Sequence, residues 1–93
     1  MGVLSGPSSG IIGRAPRDVL LLERAVRDLC ALQAVERRML VDHIDKLAMD
    51  ALPRGVEALE GRYRDHQRLR IGRFRVLYKV VDAELTVVAV LAD

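Results

Sequence analysis

Two alternating runs meet at Gly72-Arg73, and that junction constrains the fold more than any other feature of the chain. "HQRLRI" (66–71) precedes it and "FRVLYKVV" (74–81) follows it. A period of two is the mark of a strand, because successive side chains leave a pleated backbone on opposite sides. Glycine at the first of two intervening positions suits a type II′ turn, whose twist matches that of paired strands. The runs therefore predict a hairpin with a defined register: Ile71 faces Phe74, Arg70 faces Arg75, Leu69 faces Val76 and Arg68 faces Leu77. "ELTVVAVLA" (84–92) is β-branched and apolar and follows Asp82-Ala83, a weaker turn without glycine. The three runs predict a meander.

The hairpin needs a partner layer, and the first half of the chain supplies helical periodicity. Ala25, Leu29 and Leu32 recur at helical spacing, with Val26 and Cys30 beside them, which predicts a helix of about two turns. Val35, Met39 or Leu40, Ile44, Leu47 and Ala51 trace the stripe of a longer helix that ends before Pro53 and Gly55. Ahead of both, "DVLLLER" (18–24) holds four consecutive apolar residues, Val19 to Leu22, read as a strand covered on both faces. "PRGVEALEG" (53–61) reads as a connector anchored by Val56 and Leu59. The predicted fold is α+β, in the order β-α-α-β-β-β: a small antiparallel sheet with two helices packed on one face. Residues 1–16, rich in Gly, Ser and Pro, read as a flexible leader, and 17–93 as a single domain.

At 93 residues, with 51% hydrophobic content, the chain can build one modest core. No run approaches the roughly 18 apolar residues of a membrane span. The opening "MGVLSGPSSG" has neither the basic start nor the long apolar middle of a secretory signal. A single cysteine, Cys30, excludes an internal disulfide and a cysteine-built metal site, and fits a reducing cytoplasm. Cys30 is expected to be a small core residue.

The formal net charge of +2 hides an uneven distribution. Arg62, Arg64, Arg68, Arg70, Arg73, Arg75 and Lys79 stand against one acid, Asp65, within residues 62–79, whereas the rest of the chain is net acidic. Such a stripe is either a site for a polyanion or a solvated edge. The register narrows the choice. Leu69, Ile71, Phe74, Val76 and Tyr78 share the face that covers the helices. Arg68, Arg70, Arg75 and Lys79 share the other. Arg70 and Arg75 are then a directly opposed like-charge pair, which destabilises a sheet unless an anion arrives. Guanidinium forks match phosphate oxygens in pairs, so a nucleic-acid backbone fits. An acidic segment of this chain, at Asp93 or Glu84, or of a partner protein, is the competing neutraliser.

A strand, then "RAVRDLCAL", a long helix, "GVEALEG" and "RLRIGRFRVLYKVVD" together resemble the RelE/ParE superfamily of toxin–antitoxin toxins, closer to the RelE branch. The resemblance covers about residues 18–92. It implies a toxin inhibited by a cognate antitoxin protein, as a dimer or heterotetramer, and ribosome-dependent cleavage of messenger RNA without a cofactor. Arg68 and Arg70 match the basic pair on the family's second strand, and Arg75 the arginine on its third, which makes these three the catalytic candidates. Arg64, Arg73 and Lys79, with His66 and Tyr63, are the further RNA-binding candidates. His66 lies by alternation on the arginine face, as a general base or an inert strand-edge histidine. Tyr63 could stack on a base. His43 and Tyr78 read as structural. The resemblance also implies an arginine and a tyrosine beyond the last strand, and the sequence stops at "VVAVLAD" where they would begin. Either the segment lies beyond this chain, or the member has weak or no nuclease activity. ParE-type inhibition of gyrase, or plain antitoxin binding, are the alternatives. Antitoxin contact is expected on the apolar helix surfaces and the edge of the last strand.

Overall fold

The computed structural model describes residues 16–92, so Asp93 and all but the last residue of the expected leader lie outside it. Along the chain run β1 (Asp18–Leu21), α1 (Glu23–Cys30), α2 (Ala34–Met49), a two-residue strand β2 (Glu57–Ala58), a 3-10 turn (Gly61–Tyr63), β3 (His66–Ile71), β4 (Phe74–Val81) and β5 (Glu84–Ala92). The strands form one sheet in the order β1-β5-β4-β3-β2. The β3–β4 hairpin has the register that alternation predicts, with Arg70 opposite Arg75 and Ile71 opposite Phe74. Gly72 has φ +61 and Arg73 stays outside the positive-φ region, as a type II′ turn requires. At the second turn Asp82 takes φ 51, a conformation that aspartate tolerates better than most side chains.

Two features of the sheet depart from the expected four-stranded antiparallel arrangement. β2 adds a strand, pairing Glu57 with Arg68 and Ala58 with Gln67. Two residues are too few for any period to be visible in the sequence. β1 pairs parallel to β5, from Asp18–Glu84 to Leu21–Val87, which makes the sheet mixed. β5 is therefore flanked by β1 and β4, and the edge expected for antitoxin contact is interior along β1. The outermost strands are β1 and β2.

β1 is also exposed rather than covered on both faces: Val19 and Leu20 are 37% and 46% accessible. A run of four apolar residues reads the same at a sheet's edge as at its centre, so its place could not be inferred. Cys30 closes α1 and is exposed, not a core residue. Only Ala25 and Leu29 of that helix are buried, on the stripe one turn apart. Val35, expected on the α2 stripe, is exposed as well, because it lies in the first turn before the helix reaches the sheet.

The core forms between the helices and one sheet face. Leu40, Ile44 and Leu47 of α2 and Ala25 and Leu29 of α1 pack with Phe74, Val76 and Tyr78 of β4 and Leu85, Val87 and Val90 of β5. Buried aliphatic surface of this kind is the main stabilising contribution, at about 25 cal/mol per Å². A bulge lets β5 serve this face along its length. Leu77 pairs with Ala89 and Tyr78 with Val87, so Val88 is the extra residue. Tyr78 is fully buried, and its hydroxyl donates to the Ala51 carbonyl at 2.6 Å, tying β4 to the chain just after α2. His43 is absorbed by its own helix, with Nδ1 2.9 Å from the Met39 carbonyl oxygen.

Where β1 ends, β5 loses its ladder partner, and Asp28 of α1 takes over. Its Oδ2 accepts from the Val90 N–H at 2.9 Å, with Arg24 3.5 Å away. Replacing Asp28 by alanine leaves that N–H without its acceptor and is expected to lower stability by about 1–3 kcal/mol. Asp28→Asn, whose amide oxygen still accepts, should lose clearly less. Urea midpoints of the two variants, compared at an unchanged m-value, check this.

Candidate functional site

The face opposite the core carries the arginines. Ile71, Phe74, Val76 and Tyr78 are buried on the helix side, so the alternate positions Arg68, Arg70, Arg75 and Lys79 lie on the other side. Arg70 is exposed and Arg68 and Arg75 are half-buried. Arg70 and Arg75 are directly opposed, and Arg68 sits one same-face step from Arg70, about 7 Å along the strand. Two like charges at opposed positions oppose sheet pairing, and the surrounding core holds them there.

Arg68 has a carboxylate of its own chain. Its Nε and Nη2 donate to one oxygen of Glu57, at 3.1 and 2.9 Å, across the β2–β3 pair. The arginine is 34% and the glutamate 62% accessible, so water screens this pair and its net contribution is at most about 1 kcal/mol. The acid considered from the sequence, Glu84, lies at the other end of β4, opposite Val81. Glu57 was legible only as part of a connector. An acid in "GVEALEG" carries no signal of its partner until β2 pairs with β3.

The remaining candidates separate into two groups. His66 and Lys79 are directly opposed at the far end of the hairpin. They lie four residues, about 13 Å, from the Arg70–Arg75 pair. Tyr63 meets the His66 ring edge-on, with centroids 5.4 Å apart, and Arg64 lies in the turn just after Tyr63. His66 Nδ1 is buried and finds no hydrogen-bond partner among the described residues. Arg73 stands apart from both groups. It binds Glu36 of α2 at 2.7 Å and covers the Phe74 ring at 4.5 Å. It fastens the hairpin tip to the helix layer instead of joining the arginine face.

No protein-family model matches the chain, and no curated protein matches it in sequence. Solved structures do match it. The RelBE2 toxin–antitoxin complex of Mycobacterium tuberculosis contains a chain that superposes with a TM-score of 0.77 at 23% identity, covering 84% of this chain and 92% of that one. The RelE–RelB complex of Pyrococcus horikoshii gives 0.72 at 26% identity, covering 84% and 96%. Isolated Escherichia coli RelE gives 0.70 at 19% identity, covering 82% and 83%. The chain has the RelE toxin fold. The likeness covers more than four fifths of each of these chains, so it is a likeness of the whole fold. Within that RelE framework, the arginine face is built on the two strands that alternation identified from the sequence.

Proposed function

We propose that this RelE-like chain is the toxin of a toxin–antitoxin pair, acting in the cytoplasm, and that its arginine face cuts messenger RNA on the ribosome. The observation that carries the reading is the Arg70–Arg75 opposition, with Arg68 beside it, on a rigid face away from the core. The likeness to RelE toxins and to RelB–RelE complexes from several organisms supports it.

The chemistry suited to this face needs little from the protein beyond charge. A ribose 2′-oxygen attacks the adjacent phosphorus, the bond to the 5′-oxygen of the next nucleotide breaks, and a 2′,3′-cyclic phosphate and a 5′-hydroxyl result. Negative charge builds on the phosphate oxygens as the pentavalent state forms. Guanidinium groups already held in place stabilise that charge without reorganising, and each such donor contributes about 3–4 kcal/mol in comparable sites. His66 is too far along the strand to reach a phosphate centred on Arg70 and Arg75. It serves binding in this scheme, and the proton acceptor is not assigned to it.

Glu57 competes with the substrate for Arg68. Glu57→Gln is expected to leave stability unchanged within about 1 kcal/mol. The same change should raise affinity for single-stranded RNA several-fold, read by fluorescence anisotropy at low salt. For the antitoxin, the outermost strand β1, which exposes Val19 and Leu20 on its two faces and is followed by exposed Leu22 and Val26, is the edge best placed to receive a segment.

The reading is tested in a purified translation system. Cleavage of the translated message, mapped by primer extension and absent without ribosomes, is the expected result. Intact message together with inhibited DNA supercoiling would transfer the chain to a gyrase-directed role and end the RNA reading.

A further inference from the structure

The turn between β3 and β4 sits beside the two opposed arginines, and its support is uneven. β2 pairs only with Arg68 and Gln67, so from Leu69 to Ile71 the ladder neighbour of β3 among the described residues is β4 alone. Ile71 and Phe74 are buried and hold the tip down by apolar contact, which has no preferred direction. Arg73 supplies the directional contact. Its Nη2 donates to Glu36 Oε2 at 2.7 Å, and its guanidinium carbon lies 4.5 Å from the centre of the Phe74 ring. Both partners are fixed in their turn. Glu36 lies in the first turn of α2, where the helix dipole favours a carboxylate, and its side chain is 28% accessible. Phe74 belongs to the core. Arg73 itself is 56% accessible, so water screens the pair and its effect on stability is small. What the pair does set is where the tip lies against α2.

We propose that Arg73 is a positioning residue, whose bond to Glu36 fixes the hairpin tip and thereby the Arg70–Arg75 pair over the reacting phosphate. The inference rests on the RNA reading above. Arg75 lies two residues after Arg73 and Arg70 three before it, so a shift of the tip carries both guanidinium groups along. A misplacement of about 1 Å from the productive geometry costs up to about 100-fold in rate. Arg73 thus serves the chemistry through the backbone, without touching RNA.

The test uses the full chain, and Glu36→Ala is the deciding variant. It takes a negative charge from the protein and releases Arg73. Were Arg73 a direct RNA contact, its release would strengthen binding and leave the rate unchanged or higher. The positioning role gives the opposite result for rate. Single-turnover cleavage on programmed ribosomes should fall about 5- to 30-fold, while single-stranded RNA binds at least as tightly as before. Arg73→Ala should show the same fall in rate, and the double variant no further fall. Arg73→Lys, which keeps a cation within reach of Glu36, should recover most of the rate. The amides of Ile71–Phe74 should exchange faster in Glu36→Ala at an unchanged urea midpoint, the signature of a loosened tip in a folded domain. Undiminished cleavage by Glu36→Ala overturns the proposal and leaves the RNA reading standing. A loss confined to Arg73→Ala, with weaker binding and a salt slope lower by ~0.7, makes Arg73 an RNA contact and also overturns it. If the unmodified chain leaves the message intact, both fall.

Discussion

Arg75→Ala should reduce the rate of message cleavage by roughly 100- to 1,000-fold, and Arg70→Ala by a similar factor. The two residues face one another across the hairpin, so they act on the same phosphate and their effects should not add. The double variant is expected to be little worse than the more damaging single one. Arg75→Lys is the informative companion. Lysine keeps the charge but lacks the planar fork, so RNA binding should largely survive while the rate stays low. Each alanine variant is checked for folding, so that a loss of rate is not a loss of structure. The rate is read as single-turnover cleavage on programmed ribosomes, and stability as a urea midpoint. Full activity in Arg75→Ala would show that this face does not do the chemistry.

Strong alkali should unfold the protein through Tyr78. Its phenol is held up at about 12, chiefly by burial and secondarily by the negative charge of Asp50, against an ordinary value of 10.0. Because the folded value is the higher one, the stabilising contribution is complete below pH 10. It is lost as pH rises from 10 to 12, where the unfolded chain ionises and the folded one resists. Two pH units correspond to about 3 kcal/mol. Tyr78→Phe removes the titration and also the bond to the Ala51 carbonyl, so the variant should be about 1–2 kcal/mol less stable at neutral pH. The difference between the two proteins should then shrink, and reverse, as pH passes 10. Parallel stability curves from pH 8 to 12 would refute the assignment, whatever lysines contribute in common to both.

How far the site could be read in advance depended on the range of the interactions that make it. The Arg70–Arg75 opposition follows from one turn and a period of two, both local, and it was legible. Tyr78 was likewise legible as packing, since it alternates with Val76 and Phe74. The Arg68–Glu57 and Arg73–Glu36 pairs were not. Each joins residues from different elements, and a surface acid looks the same whether or not a distant arginine reaches it. Cys30, Val35 and the β1 residues are more exposed than their apolar identity suggests, because that identity sets what a residue prefers and not what neighbours are available to cover it.

By itself the order of residues determined the hairpin, its register and which side chains share each face, because a strand's alternation and a glycine-first turn are set by covalent geometry within a few residues. It determined the two helices in the same way. Only the tertiary structure decided that β1 lies parallel beside β5, that Glu57 occupies Arg68, and that Arg73 belongs to the helix layer. Those outcomes depend on packing between segments far apart in the chain, where many arrangements satisfy the local pattern and only the burial of the shared core selects one.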